Sequence, residues 1–364
     1  MINFCKALFF LLPILVFSQN KAETNAIDAN YFRGNVLLHT PDLQHLLGHP
    51  SGIMINFLRQ THGAKEWHKA YNYPDYGGYF LYQDFGNQIL GSMYSAGLNY
   101  NFYFFNRNIQ LKVAEGIAFA TNPYNKETNS KNKAFGTDIT ANTNIALTYS
   151  KPYLVNNFGL QVGFLFTHYS NGRIKSPNSG INSYNLNFGI NYNLTDKKPT
   201  QQIDSVKFDM RLTEPIKYNF VFRSGVNESA LLRSGQFAFF HLCAYADKRI
   251  NRKSALQLGV DFFITPSLKE LIKYQAVAYP EREVNPNTDY KRVGVFVGHE
   301  LFINKVSIET QVGFYVYKPF KNDIAMYNRV GAKYYVTKNI FSSFHIKTHL
   351  FLAEALEFGV GYRL

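Results

Sequence analysis

Ser183-Tyr184-Asn185-Leu186-Asn187-Phe188-Gly189-Ile190-Asn191-Tyr192-Asn193-Leu194 alternates polar and apolar residues without a break. Side chains that alternate with a period of two lie on opposite faces of an extended strand. A soluble sandwich would bury the apolar set and usually place charges on the other face. Here the polar set is Asn, Gly and Ser, which suits a crowded barrel lumen, and the apolar set is rich in Tyr and Phe, which suits lipid. The stretch predicts one strand of a membrane β-barrel, with a pair of soluble β-sandwiches as the structural alternative.

Outward from this strand, segments of about 10 residues repeat the pattern. Short links near 105–109, 151–157, 248–253, 302–305 and 337–339 alternate with longer ones near 121–137, 171–182, 227–234, 265–290 and 318–328. Tight turns at one end and long loops at the other are the habit of outer-membrane barrels. The stretch 195–216, with Lys197-Lys198-Pro199, is long on the short-turn side and reads as a periplasmic excursion. The chain closes on Phe358-Gly359-Val360-Gly361-Tyr362-Arg363-Leu364, an amphipathic strand with an aromatic near its end. The expectation is an all-β protein, one closed antiparallel transmembrane barrel of about 14 strands, with about 12 to 16 allowed, over residues 71–364. Residues 19–70 are expected to be a periplasmic segment or a first strand; Ile53–Arg59 is the strand-like part.

Residues 1–18 have the form of a cleaved secretory signal. Lys6 precedes the apolar run Ala7 to Phe17, and Ser18 supplies a small residue at the cut. Cys5 stands at the start of the run, which argues against a lipoprotein anchor, and Cys243 then remains as a lone packing cysteine with no internal disulfide partner. No later apolar run approaches the roughly 18 residues of a membrane helix. The net charge of +13 implies an anionic partner, but no Lys/Arg stripe is dense enough for nucleic acid, so anionic lipid of a bacterial outer membrane is the expected counterpart. His39, His45, His49, His62 and His68 crowd the N-terminal part without ligand spacing, so neither a metal nor a cofactor is expected. Glu115 falls in the apolar phase of its strand, and a bulge at Glu115-Gly116 that turns it inward is the expectation.

Chemistry concentrates after Phe158. Leu160, Val162, Phe164 and Phe166 mark the lipid-facing parity, and His168 and Ser170 continue it. Asn182 lies in the same phase at the start of the next strand. A serine hydroxyl is a weak nucleophile until an imidazole takes its proton, and the imidazole needs an acceptor on its other nitrogen. Asn182 offers that acceptor through its amide oxygen, and amides around Asn171-Gly172 are candidates for stabilising an ester oxyanion. The bland reading of the same residues is a polar girdle at the barrel rim.

His168-Tyr169-Ser170-Asn171-Gly172, followed by Lys175, Pro177-Asn178 and Gly180-Ile181, resembles the signature of the lipid A deacylase family (PagL-type, acyloxyacyl hydrolase-like). Tyr73-Pro74-Asp75-Tyr76-Gly77, Gly86-Asn87 and Leu90-Gly91 are similar to the strands leading into it. The resemblance implies an outer-membrane esterase acting on lipid A or lipopolysaccharide, with His168 as base, Ser170 as nucleophile and Asn171 as oxyanion contributor. In this family the triad's third member is acidic, and Asn182 stands in its place. Arg173 and Lys175 flank the site, either as solvated loop charges or as contacts to the lipid's phosphates. The alternative is a pore or structural barrel that keeps the hairpin without the activity. The best-known members resemble an eight-stranded barrel, so the remaining sequence is expected to enlarge that barrel or to serve a separate function.

Overall fold

The computed structural model describes residues 23–195, 209–350 and 352–364, and they fold into two closed antiparallel barrels of eight strands each. The first barrel comprises β1 (Glu23–Leu37), β2 (Ser51–Thr61), β3 (Asp75–Asp84), β4 (Ser92–Phe104), β5 (Ile109–Ala120), β6 (Ile139–Val155), β7 (Phe158–Ser170) and β8 (Ile181–Asn193). The second comprises β9 (Lys217–Glu228), β10 (Gln236–Arg249), β11 (Ser254–Ile264), β12 (Arg292–Ile303), β13 (Val306–Tyr317), β14 (Met326–Tyr335), β15 (Ile340–His349) and β16 (Leu352–Arg363). Two short helices, α1 (Glu66–Ala70) and α2 (Ser267–Ala278), sit in connections.

The single barrel of about 14 strands expected from the pattern is thus replaced by two smaller rings. β8 returns to β1 along a ladder from Leu37↔Asn182 to Ala26↔Asn193, which satisfies both edges before residue 200 is reached. β9 and β16 close the second ring from Phe358↔Ser224 to Arg363↔Asn219. Residues 19–70 hold two full strands of the first ring. Alternation is weak in β1 because Phe32 points inward and Arg33 outward, so hydrophobicity there does not follow facing. The stretch 195–216 joins the two rings. The signal-like residues 1–18 and positions 196–208 lie outside the described residues.

Leu160, Phe164, Leu186 and Phe188 all point outward, and Phe164 is 66% exposed. An eight-stranded lumen is just wide enough to be filled by side chains. The first is filled mostly by amides: Asn56 donates to Asp28 at 2.5 Å, Asn99 donates to Asn56 at 2.8 Å, and Tyr79 donates to Asn142 at 2.8 Å. The second is filled by charges. Arg329 bonds Glu357 at 2.6 Å and Asp261 at 3.0 Å, and Lys333 bonds Glu300 at 2.7 Å. Charges this deep are tolerated because each is paired. Cys243 is buried among the inward side chains of this ring.

The two rings touch at both ends. At the short-turn end the Tyr71 hydroxyl donates to the Phe302 carbonyl at 2.7 Å, and Arg252 meets Glu66 at 2.8 Å. At the long-loop end the β7–β8 connection lies on the rim of the second ring, where the Glu228 N–H donates to the Arg173 carbonyl at 3.0 Å.

Candidate active site on the β7–β8 hairpin

Four polar residues form one cross-strand row on the outer face. Glu115 on β5 stands opposite Thr143 on β6, Thr143 opposite His168 on β7, and His168 opposite Asn182 on β8. Glu115 is not in a bulge, contrary to the sequence expectation. The ladders on both sides run through it without a register shift, so it stays outward and accepts the Thr143 hydroxyl at 2.6 Å.

His168 Nδ1 and Asn182 Oδ1 are 2.6 Å apart. Since a carboxamide oxygen only accepts, the imidazole carries its proton on Nδ1 and leaves the Nε2 lone pair free. Asn182 is oriented in turn by a residue that the sequence reading left unassigned. His39 Nε2 lies 3.0 Å from the Ser179 carbonyl and must donate there, so its Nδ1 can receive the Asn182 amide at 3.4 Å. Only proximity in the fold reveals this link, because His39 is 143 positions away from Asn182.

Ser170 is 5% exposed at the end of β7. Its Oγ receives the Gly172 N–H at 3.1 Å and the Asn178 side-chain amide at 2.9 Å. Among the described hydrogen bonds none joins Ser170 to His168. The two are nevertheless neighbours over Gly180: a Cβ added there would lie 3.3 Å from His168 Cε1 and 3.6 Å from Ser170 Cβ. Gly180 adopts φ +68°, which lets the backbone pass this close.

Asn171 donates its backbone N–H to Asn178 Oδ1 at 2.9 Å and its side-chain amide to the Lys175 carbonyl at 2.8 Å. Both donors of Asn171 are thus engaged within the loop, and the Asn178 amide faces the serine. Arg173 is half-buried and turned toward Glu354 and Asp323 of the second ring, whose carboxylates oppose the lowering of its pKa by burial. Lys175 is exposed. The histidines of the N-terminal part scatter: His45 binds the Lys131 carbonyl, His49 Asn35 and His62 Thr24, each at 2.7 Å, while His68 is buried near Glu23. No group of three or more metal-ligating side chains occurs among the described residues.

The family model for lipid A 3-O-deacylase (PagL) matches residues 52–191, and that for the acyloxyacyl hydrolase C-terminal domain matches residues 216–364. The chain belongs to the PagL-type lipid A deacylase family. The first match covers β3 to β7 and nearly all of β2 and β8, including the polar row from Glu115 to Asn182, and the second covers every strand of the other ring. PagL-type proteins are hydrolases of the outer membrane, and a strand-built chain in which no described helix is long and apolar enough to span a bilayer fits that setting. Among solved structures the chain is similar to a Rh. blastica porin mutant, at 9% identity over 94% of this chain and 100% of the porin, with a TM-score of 0.20. It is also similar to a BenF-like porin from Pseudomonas fluorescens, at 10% identity over 94% of this chain and 98% of that one, with a TM-score of 0.24. Likenesses this loose carry nothing further. No curated protein matches the chain.

Proposed function

We propose that this PagL-type protein is an outer-membrane esterase that removes an ester-linked acyl chain from lipid A or lipopolysaccharide, with Ser170 as nucleophile, His168 as base and Asn182 as the group that orients the base. The observation that carries the reading is the 2.6 Å pair between His168 Nδ1 and Asn182 Oδ1, placed beside Ser170 on the outer face where the acyl chains of a bilayer lie. With Nδ1 committed, Nε2 is the proton acceptor. In substrate-free sites such catalytic hydrogen bonds are often long and tighten only in the complex.

His168 takes the Ser170 proton as Oγ attacks the ester carbonyl. The Gly172 N–H and the Asn178 amide, which donate to Oγ at 3.1 and 2.9 Å before the attack, are the donors that this reading turns toward the carbonyl oxyanion once Oγ has bonded to the ester carbon. The imidazolium then protonates the departing sugar oxygen, and water, activated by the same imidazole, releases the fatty acid from the acyl-serine. Asn182 orients imidazolium but stabilises it less than a carboxylate would, so a slower enzyme than one with an acid is expected. Arg173 and Lys175 belong to this reading as loop cations for the lipid's phosphates, Lys175 being the more accessible.

A second reading, a barrel without activity, is favoured by the amide in the acid's place and by the Ser170 hydroxyl, which donates to Asn178 Oδ1 at 3.3 Å rather than to His168. Mass spectrometry of lipid A from membranes bearing wild type or Ser170→Ala separates the two. Deacylation by the wild type and a loss of several orders of magnitude in the variant are expected. Equal deacylation by both refutes the mechanism, and none by either leaves the inactive barrel.

A further inference from the structure

The loop that follows Ser170 is tied down by the other ring. Glu228, the last residue of β9, is 3% exposed. Its carboxylate receives the Ser176 N–H at 2.7 Å and the Gly235 N–H at 3.3 Å, and its own N–H donates to the Arg173 carbonyl at 3.0 Å. Two more bonds cross the same seam: Ser176 Oγ donates to the Ser229 carbonyl at 2.8 Å, and the Gln236 amide to the Ile174 carbonyl at 2.9 Å. Leu356 of β16 presses so close to Gly172 that an added Cβ there would sit 2.2 Å from Leu356 Cγ.

Glu228 is the anomaly in this set. A buried carboxylate is costly unless a cation accompanies it. Among the described residues none forms a salt bridge with Glu228, in contrast to the paired acids of the lumen below it. Its partners are two backbone N–H groups, one on each of the two loops that meet there. The anchored positions also fall beside the groups that face the nucleophile. Arg173 adjoins Gly172, whose N–H reaches Ser170, and Ser176 is two residues before Asn178, whose amide does the same.

We infer that Glu228, and through it the rim of the second ring, positions the Gly172 and Asn178 donors for catalysis on the first ring. This inference rests on the deacylase reading above. It gives the second ring a role in the reaction: the β5–β6 loop of the first ring holds Ser179 and Gly180, at 3.1 Å each, while the stretch from Arg173 to Ser176, between the two donors, is held from the second ring. Glu228 touches no reacting atom and is a positioning residue.

The test uses the full-length protein in outer membranes, assayed on lipid A and on a short-chain nitrophenyl ester. Glu228→Ala is expected to lower kcat about 10- to 100-fold, since a misplacement of about 1 Å in a catalytic group costs up to about 100-fold, with KM nearly unchanged. The loss should be alike on both substrates, because the small ester lacks the sugar that a binding residue would grip. Glu228→Gln, which keeps one accepting oxygen, should fall between. Should Glu228→Ala fail to assemble, Gln236→Ala removes an exposed tether and should still cost several-fold in kcat. Full kcat in Glu228→Ala, or in Gln236→Ala where that variant stands in, overturns the inference. So does a rise in KM confined to lipid A. Ser170→Ala in the same preparation keeps the failures apart: if it stays active, the deacylase mechanism itself is wrong.

Discussion

Replacing Gly180 with alanine adds one methyl group at the point where the base and the nucleophile come nearest. At φ +68° any residue with a Cβ is strained, by about 1–2 kcal/mol. The new atom would stand 3.0 Å from the Tyr169 carbonyl oxygen, which is backbone and cannot give way cheaply. It would stand 3.3 Å from His168 Cε1, so the imidazole, held by its 2.6 Å bond to Asn182, must move by a few tenths of an ångström. If a full 1 Å displacement costs about 100-fold, a shift of this size should cost about tenfold in kcat. The assay is single-turnover deacylation of purified lipid A followed by mass spectrometry, with heat-dependent gel mobility reporting the barrel. Gly180→Ala should assemble, unfold at a slightly lower temperature, and turn over about tenfold more slowly with KM little changed. Wild-type turnover in an assembled Gly180→Ala would refute the placement of His168 and Ser170 in one catalytic pocket.

Asn178→Ala should lower kcat by about 100- to 1,000-fold at nearly constant KM, as for loss of one oxyanion donor, and pre-steady-state kinetics should place the loss in acylation. Asn182→Glu supplies a carboxylate beside His168 and should raise kcat, whereas Asn182→Ala should lower it by less than Ser170→Ala does; parallel assays of the three variants check the order. Ser170→Ala itself should cost more stability than an exposed substitution, about 1–3 kcal/mol, because the Gly172 N–H and the Asn178 amide lose a buried acceptor; thermal unfolding in detergent measures it.

The facing of the strands could be read from the sequence because a strand's side-chain period is local: Leu160, Phe164, Leu186 and Phe188 declare the outer face by themselves. The same parity places His168, Ser170 and Asn182 together, since a hairpin brings the ends of consecutive strands side by side; the His168↔Asn182 pairing is set within 15 residues of chain. What the sequence left open is long-range. Backbone N–H and C=O groups bond any partner strand equally well, so nothing in the alternation told β8 to return to β1 rather than continue into a larger ring. Closure after eight strands is decided by the fit of side chains in the lumen, a property of the whole ring. Three further features exist only where distant segments meet: His39 orienting Asn182, Glu115 remaining outward because its ladders carry no bulge, and Glu228 seating the loop after Ser170. Each depends on a contact between segments far apart in the chain, and a period-two pattern carries no record of such contacts.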